Sequence, residues 1–169
     1  LRTKTGINFR TGKSKYFIAE ADEYRRHFLN FKPDALIILN IDEDHLDYYK
    51  DLDDIKDAFS TLVEQVSGDG YVVTDTSNNI VKDVIRDSSK KIIDYREYID
   101  LNLKLKIPGI HNLTNAAASA AVALQEGFDK EVVKGALEEF SGVWRRFEYK
   151  GKTKEGTLIY DDYAHHPAE

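Results

Sequence analysis

Between residues 35 and 94 the hydrophobic period switches repeatedly between that of a strand and that of a helix, and this alternation constrains the fold more than any other feature. Residues 35–39 read Ala-Leu-Ile-Ile-Leu, a continuous apolar run of the kind that forms a strand buried on both faces. Over residues 52–66, Leu52, Ile55, Phe59, Leu62, Val63 and Val66 recur at helical spacing, and Asp51 and Asp53 stand at the end where a helix carries its positive pole. Gly68 and Gly70 lead into a strand, Tyr71-Val72-Val73-Thr74. Ile80, Val81, Val84 and Ile85 then mark a short helix, and residues 91–94 mark another strand. Strand, helix, strand, helix, strand in that order predicts an α/β fold, a mostly parallel sheet flanked by helices. Parallel neighbours need a crossover, and a helix supplies a compact one.

The flanking segments predict further elements. Residues 6–10 and 15–21 read as the two strands of a hairpin turning at Thr11-Gly12-Lys13, the second strand ending at Glu20-Ala21-Asp22-Glu23. Residues 101–107 alternate Leu-Asn-Leu-Lys-Leu-Lys-Ile, the period of a half-exposed strand, which Pro108-Gly109 ends. An Ala-rich helix follows over residues 112–126, with Asn112 and Thr114 as candidate caps and Gly127 as its stop. Asp129 caps another helix through Phe140, and strands return near 146–149 and 157–161. The expected division is a main domain over 1–143 and the first strands of a second domain over 144–169.

Composition narrows the function. A net charge of −6 weighs against nucleic acid, because phosphate binding leaves a basic footprint. The sequence has no cysteine, which excludes disulfides and thiolate metal sites. No apolar run approaches the length of a membrane span and the N-terminus does not look like a signal peptide, so no membrane partner is expected. The chain starts at Leu1 and stops within a motif around His165-His166-Pro167, so a piece of a longer protein is expected.

Gly12-Lys13-Ser14 imitates the end of a phosphate loop, G-x-x-x-x-G-K-[ST]. The upstream glycine would have to stand at position 7, which is Ile7, and a strand rather than a helix is expected after Ser14. The segment is therefore read as a hairpin turn.

Four constellations could carry chemistry. Glu20, Asp22 and Glu23 end one expected strand, and Asp42, Asp44, His45 and Asp47 follow the next. Carboxylates and an imidazole at adjacent strand ends could face one crevice and suit Mg2+ beside a phosphate, or they could be solvated loop acids. Pro108-Gly109-Ile110-His111-Asn112 could grip a base or ribose, or serve as a helix cap. Trp144-Arg145-Arg146-Phe147-Glu148 offers guanidinium forks for phosphate, or a cationic surface strand. Asp161-Asp162-Tyr163-Ala164-His165-His166-Pro167 could orient a ribose or shuttle a proton. Adjacent histidines on a strand point to opposite faces, which disfavours one metal held by both.

In this order, the stretches Glu20-Ala21-Asp22-Glu23-Tyr24-Arg25-Arg26-His27-Phe28, Asn40-Ile41-Asp42-Glu43-Asp44-His45-Leu46-Asp47, Pro108-Gly109-Ile110-His111-Asn112, Arg145-Arg146-Phe147-Glu148 and Asp161-Asp162-Tyr163-Ala164-His165-His166-Pro167 resemble the Mur ligase family. The resemblance covers nearly the whole chain. It implies the central ATP-binding domain without its phosphate loop, followed by the start of the C-terminal domain. It also implies an ATP-dependent, ADP-forming ligase of peptidoglycan precursor synthesis, working through an acyl phosphate. Within the family the motifs look most like the branch that joins L-alanine to UDP-N-acetylmuramate. Ala58-Phe59-Ser60 stands where later-step members carry a modified lysine, which also leaves the tripeptide-recycling branch open. A non-catalytic nucleotide-binding module and a metal-dependent hydrolase are the alternatives from other classes.

By resemblance Glu20 holds one Mg2+ and His45 a second, His111 and Asn112 contact the adenine side of ATP, Arg146 its phosphates and Asp162 its ribose. His45, Arg146 and His165 are the expected catalytic group, and Glu23, Arg25 and Tyr163 the expected substrate contacts. The stretch between Tyr95 and Leu105 is shorter than the family pattern implies. Without a phosphate loop the chain alone is expected to be inactive.

Overall fold

The computed structural model describes residues 9–164. Three parallel strands, β1 (Ala35–Ile38), β2 (Tyr71–Thr74) and β3 (Lys91–Asp94), form a sheet in the order β1-β2-β3. Leu36 pairs with Val72 and Val72 with Ile92. Helix α1 (Leu52–Glu64) joins β1 to β2, and α2 (Asn79–Ile85) joins β2 to β3. The alternating-element reading is therefore correct in type and order.

Strand alternation sends successive side chains to opposite faces, so each face has its own core. On one face Leu36, Ile38 and Val72 pack against Ile55, Leu62 and Val63 of α1 and Val81 and Val84 of α2. On the other, Tyr71, Val73 and Ile93 pack against Ala117, Ala118 and Ala121 of α3 (Ile110–Gln125). The small residues of α3 let its axis lie close to the central strand, so the Ala-rich stretch is core. Helix α4 (Lys130–Glu139) follows, and β4 (Glu148–Lys152) and β5 (Leu158–Asp161) form a separate antiparallel sheet.

Caps at helix starts follow the local sequence. Asp51 accepts from the Asp54 amide at 2.9 Å, and Asp129 from the Glu131 and Val132 amides at 2.9 and 3.1 Å. Gly127, at φ +82°, ends the α3 region as expected.

Several expectations fail. Residues 35–39 are not buried on both faces: Ile37 and Leu39 stay 41% and 39% exposed, because α3 covers the central strand and not the edge strand β1. The expected opening hairpin is absent among the described residues, and residues 6–8 lie outside them. Residues 9–23 hold only a bend at 13–15, and Phe17 and Ile18 are exposed. A strand needs a neighbour to take its backbone hydrogen bonds, and no described strand runs alongside this segment. The phosphate-loop reading still fails, since no helix follows Ser14.

Residues 101–107 are likewise not a strand. A 3-10 segment, Tyr95–Leu101, gives way to Asn102 in the left-handed conformation and then to irregular chain. The alternation survives as burial, with Leu103, Leu105 and Ile107 half-buried and Lys104 and Lys106 exposed. Asn112 and Thr114 are not caps of α3. Gly109 holds the N-cap position without a side-chain bond; Asn112 lies in the first turn and Thr114 just past it, donating back to the Pro108 and His111 carbonyls. Arg146 and Phe147 lie in a turn, and the strand there starts at Glu148.

Candidate functional site

The loop after β1 and the segment before it meet at one place. His45 takes φ +54°, and its amide donates to Asp44 Oδ1 at 2.6 Å. That turn presents the imidazole toward Glu23, whose Oε1 lies 3.1 Å from His45 Nε2, while Asp44 Oδ1 lies 3.8 Å from Nδ1. Glu23, Asp44 and His45 each offer a ligand atom, all within 4.8 Å of one another. His45 and Glu23 are half-buried, and Asp44 is exposed. Two carboxylates and one imidazole around an open side form a donor set that fits a hard divalent ion keeping some of its waters.

The surroundings fix this group in place. The Tyr24 ring lies 4.9 Å from the His45 ring, and Tyr24 Oη donates to Asp47 Oδ2 at 2.9 Å. Tyr49 is 2% exposed and donates its hydroxyl to the Glu23 carbonyl at 2.5 Å; burial pushes its phenol pKa up, so it remains a donor at neutral pH. Arg26 reaches back to α1, bonding Asp54 at 2.5 Å and Asp57 at 3.1 Å. His27 pairs with Asp22 at 2.9 Å, and that hydrogen bond holds the Asp22 carboxyl below its usual range.

Of the residues singled out from sequence, Glu23 and His45 come together, and Asp44 joins them. Glu20 lies outside this group, exposed in irregular chain. Arg25 is exposed at φ +52°, its guanidinium 5.3 Å from the Tyr24 ring centre. Arg26 is already bound to two carboxylates, unlike its neighbour.

The other constellations sit at the start of α3 and at the hairpin. The His111 imidazole is exposed and folds over Gly109, where an added Cβ would lie 2.5 Å from the ring. Asn112 Nδ2 donates to the Pro108 carbonyl at 2.5 Å, which closes the turn and leaves its Oδ1 available. The segment 144–147 and the residues after β5 hold each other: Asp162 accepts from the Phe147 and Ala164 amides, each at 2.8 Å, and Tyr163 N donates to the Arg145 carbonyl at 2.8 Å. Arg145 lies 4.9 Å from the Tyr163 ring centre and 3.6 Å from Asp161. Arg146 is exposed in the turn, and Tyr163, which meets Arg145, is exposed as well. His165 lies outside the described residues.

Sequence reasoning missed Tyr49, whose role depends on a carbonyl 26 residues away. The pair Tyr48-Tyr49 in an otherwise mostly polar and acidic loop was the available signal.

The sequence pattern of the Mur ligase middle domain matches residues 3–98 of this chain. The chain belongs to the Mur ligase family. Among Mur ligases, it is 40% identical over 189 aligned positions to the UDP-N-acetylmuramate–L-alanine ligase of Clostridium botulinum, covering 96% of this chain and 41% of that protein. The enzyme of the same name from Caldanaerobacter subterraneus is 41% identical, with 97% of this chain and 41% of that protein covered. The chain thus spans about two fifths of the length of these relatives. An alignment of 189 positions exceeds the 169 residues here, so the relative carries residues within the matched stretch that this chain lacks.

The crystal structure of the UDP-N-acetylmuramate–alanine ligase MurC from Thermotoga maritima superposes with a TM-score of 0.64 at 30% identity, covering 85% of this chain and 37% of that one. MurF from Acinetobacter baumannii gives a TM-score of 0.70 at 22% identity over 85% of this chain and 36% of that one, a likeness of fold. The α/β architecture of parallel sheet and flanking helices is therefore that of a Mur ligase. Among the described residues no helix is long and apolar enough to cross a membrane.

Proposed function

We propose that these 169 residues form part of a cytoplasmic ATP-dependent ligase that joins L-alanine to UDP-N-acetylmuramate in peptidoglycan precursor synthesis. The observation that carries this reading is the 40% identity to relatives of that name over 96% of the chain. The geometry supports it with two carboxylates and an imidazole brought together by the loop after β1, on the side of the sheet where open α/β folds gather their ligands.

The reaction must bring together two anions, the muramyl carboxylate and the triphosphate of ATP. It activates the carboxylate as an acyl phosphate, and the amine of L-alanine then displaces phosphate. Mg2+ bound there supplies charge neutralisation for the transferring phosphoryl group. His45 is the residue proposed to hold it, with Glu23 and Asp44 beside it by geometry, and Glu20 is proposed from resemblance to hold a second Mg2+. His111 and Asn112 are proposed to receive the adenine side of ATP. The turn between Pro108 and Asn112 suits this role because it presents an imidazole and an amide oxygen from one short loop.

Arg146 is proposed to contact the phosphates, Asp162 the ribose, and His165 to assist them. Asp162 now binds two backbone amides, so a ribose contact draws on its second lone pairs or on a shift of this turn. Arg25 and Tyr163 are exposed and proposed to meet the muramyl substrate or the incoming amino acid, together with Glu23. Residues 1–143 are proposed as the ATP-binding domain and 144–169 as the start of the next.

The test uses the intact polypeptide that joins these residues to a phosphate loop. With UDP-N-acetylmuramate and ATP, ADP release is expected with L-alanine and not with the L-Ala-γ-D-Glu-meso-diaminopimelate tripeptide. The reverse preference would move the protein to the tripeptide-recycling branch. ATP binding without turnover of either acceptor would make it a non-catalytic nucleotide-binding module. The 169-residue chain alone contains no phosphate-loop pattern, and no ADP release from it is expected.

A further inference from the structure

We infer that Tyr49 and Arg26 are positioning residues that set the Glu23 carboxylate against His45, and so shape the candidate metal group from outside it. The inference rests on the proposed metal role of that group.

Glu23 has two ways to be held, by its carboxylate and by its peptide. The carboxylate meets His45 Nε2 at 3.1 Å. The peptide is the more firmly fixed. Its carbonyl accepts from Tyr49 Oη at 2.5 Å and from the Arg26 amide at 2.9 Å, which uses both lone pairs. Tyr49 is 2% exposed, with Tyr48 edge-on to its ring at 5.0 Å, and so has little freedom to release that carbonyl. A buried hydroxyl with one acceptor loses that bond at the full cost of its desolvation.

Arg26 supplies the second tether. It lies 5.7 Å from the Tyr49 ring centre and bonds Asp54 at 2.5 Å and Asp57 at 3.1 Å on α1. The same two charges account for why Arg26, although part of a cationic run, is not available to bind an anion. Both Arg25 and Arg26 take left-handed backbone, at φ +52° and +59°, a conformation that non-glycine residues adopt when their surroundings impose it. Phe28, 2% exposed and edge-on to Phe59 at 5.0 Å, closes the turn against α1. The left-handed pair reverses the chain there, between the Phe28 anchor and the Tyr49 anchor, and Glu23 lies at its start. Neither Tyr49 nor Arg26 offers an atom to the metal group itself. The Tyr49 amide also donates to the His45 carbonyl at 3.0 Å, a backbone bond that Tyr49→Phe leaves in place, so what that substitution removes acts on the group through Glu23.

The experiment titrates Mn2+ alone, a paramagnetic stand-in for Mg2+, into this chain and reads the free ion by electron paramagnetic resonance, with a thermal melt of every variant. Glu23→Gln and His45→Ala test the metal group. Tyr49→Phe, which keeps the buried ring, and Arg26→Gln test the positioning. Tyr49→Phe is expected to weaken Mn2+ binding by about three- to tenfold, the worth of one hydrogen bond, and Arg26→Gln by a similar factor.

In the Glu23→Gln background, adding Tyr49→Phe is expected to weaken Mn2+ binding no further, because its route to the metal has been removed. A Tyr49→Phe chain that melts lower but binds Mn2+ as the parent does, while Glu23→Gln and His45→Ala bind it weakly, overturns the inference and leaves the metal group standing. Unchanged binding in His45→Ala and Glu23→Gln overturns the metal reading and this inference with it. If Tyr49→Phe does not fold, the Arg26→Gln arm decides by the same outcomes.

Discussion

At the scale of the residue, Asp94 ends β3 with a side chain that is 13% exposed. It accepts from Thr76 Oγ1 at 2.5 Å, from the Arg96 amide at 2.9 Å and from the Arg96 guanidinium. Burial alone would raise its pKa, but the bonds from Arg96 and Thr76 outweigh burial and pull it down to about 2. A carboxyl whose folded pKa is depressed contributes stability above its unfolded pKa of about 3.9 and loses it as pH falls through the folded value. Asp94→Asn is therefore expected to destabilise the chain by about 1–2 kcal/mol at neutral pH, with the deficit shrinking below pH ~4 and gone only below pH ~2. Urea unfolding of both chains across that range checks it, and a deficit that does not change with pH would sink the ion-pair account. Residue chemistry was partly legible in advance. The acids and imidazole of residues 42–47 were visible as a group because they are neighbours in sequence. That Glu23 faces His45 was not visible, because the contact spans 22 residues and the chain reversal after Glu23 uses two left-handed residues, Arg25 and Arg26, which no local composition announces.

Single elements show the same division. Helices α1, α2 and α4 begin where their side-chain caps stand, since a cap and the amides it satisfies lie within three residues of each other. Asp129→Ala is expected to lower stability by about 1 kcal/mol and to fray the first turn of α4, with faster amide exchange at Glu131 and Val132. Unchanged exchange there would remove the cap from the account. Strands were less legible. Residues 101–107 carry a strand period and 15–21 a strand-like composition, yet neither forms a strand, because a strand also needs a partner for its backbone. Helix α3 misled in the opposite direction, starting at Gly109 with no side-chain cap while Asn112 lay inside its first turn.

For the whole molecule, the sheet is covered unevenly. One face of β1 packs on α1 and α2, and the other leaves Ile37 at 41% exposure. A half-exposed edge position adds little to stability, so Ile37→Thr, which keeps the β-branch, is expected to change unfolding free energy by less than about 0.5 kcal/mol. Ile38→Thr, 3% exposed in the main core, should cost several times more, and equal losses in urea unfolding would contradict the uneven cover. The sequence by itself determined the order of helices and strands over residues 35–94, the parallel α/β class and the loop that carries His45. Each of these follows from periods and caps that act over a few residues. Only the tertiary structure decided which carboxylate meets His45, that Tyr49 holds the peptide behind it, and which strand-like stretches pair. Those outcomes depend on contacts between residues 22 or more positions apart, and periodicity carries no information at that distance.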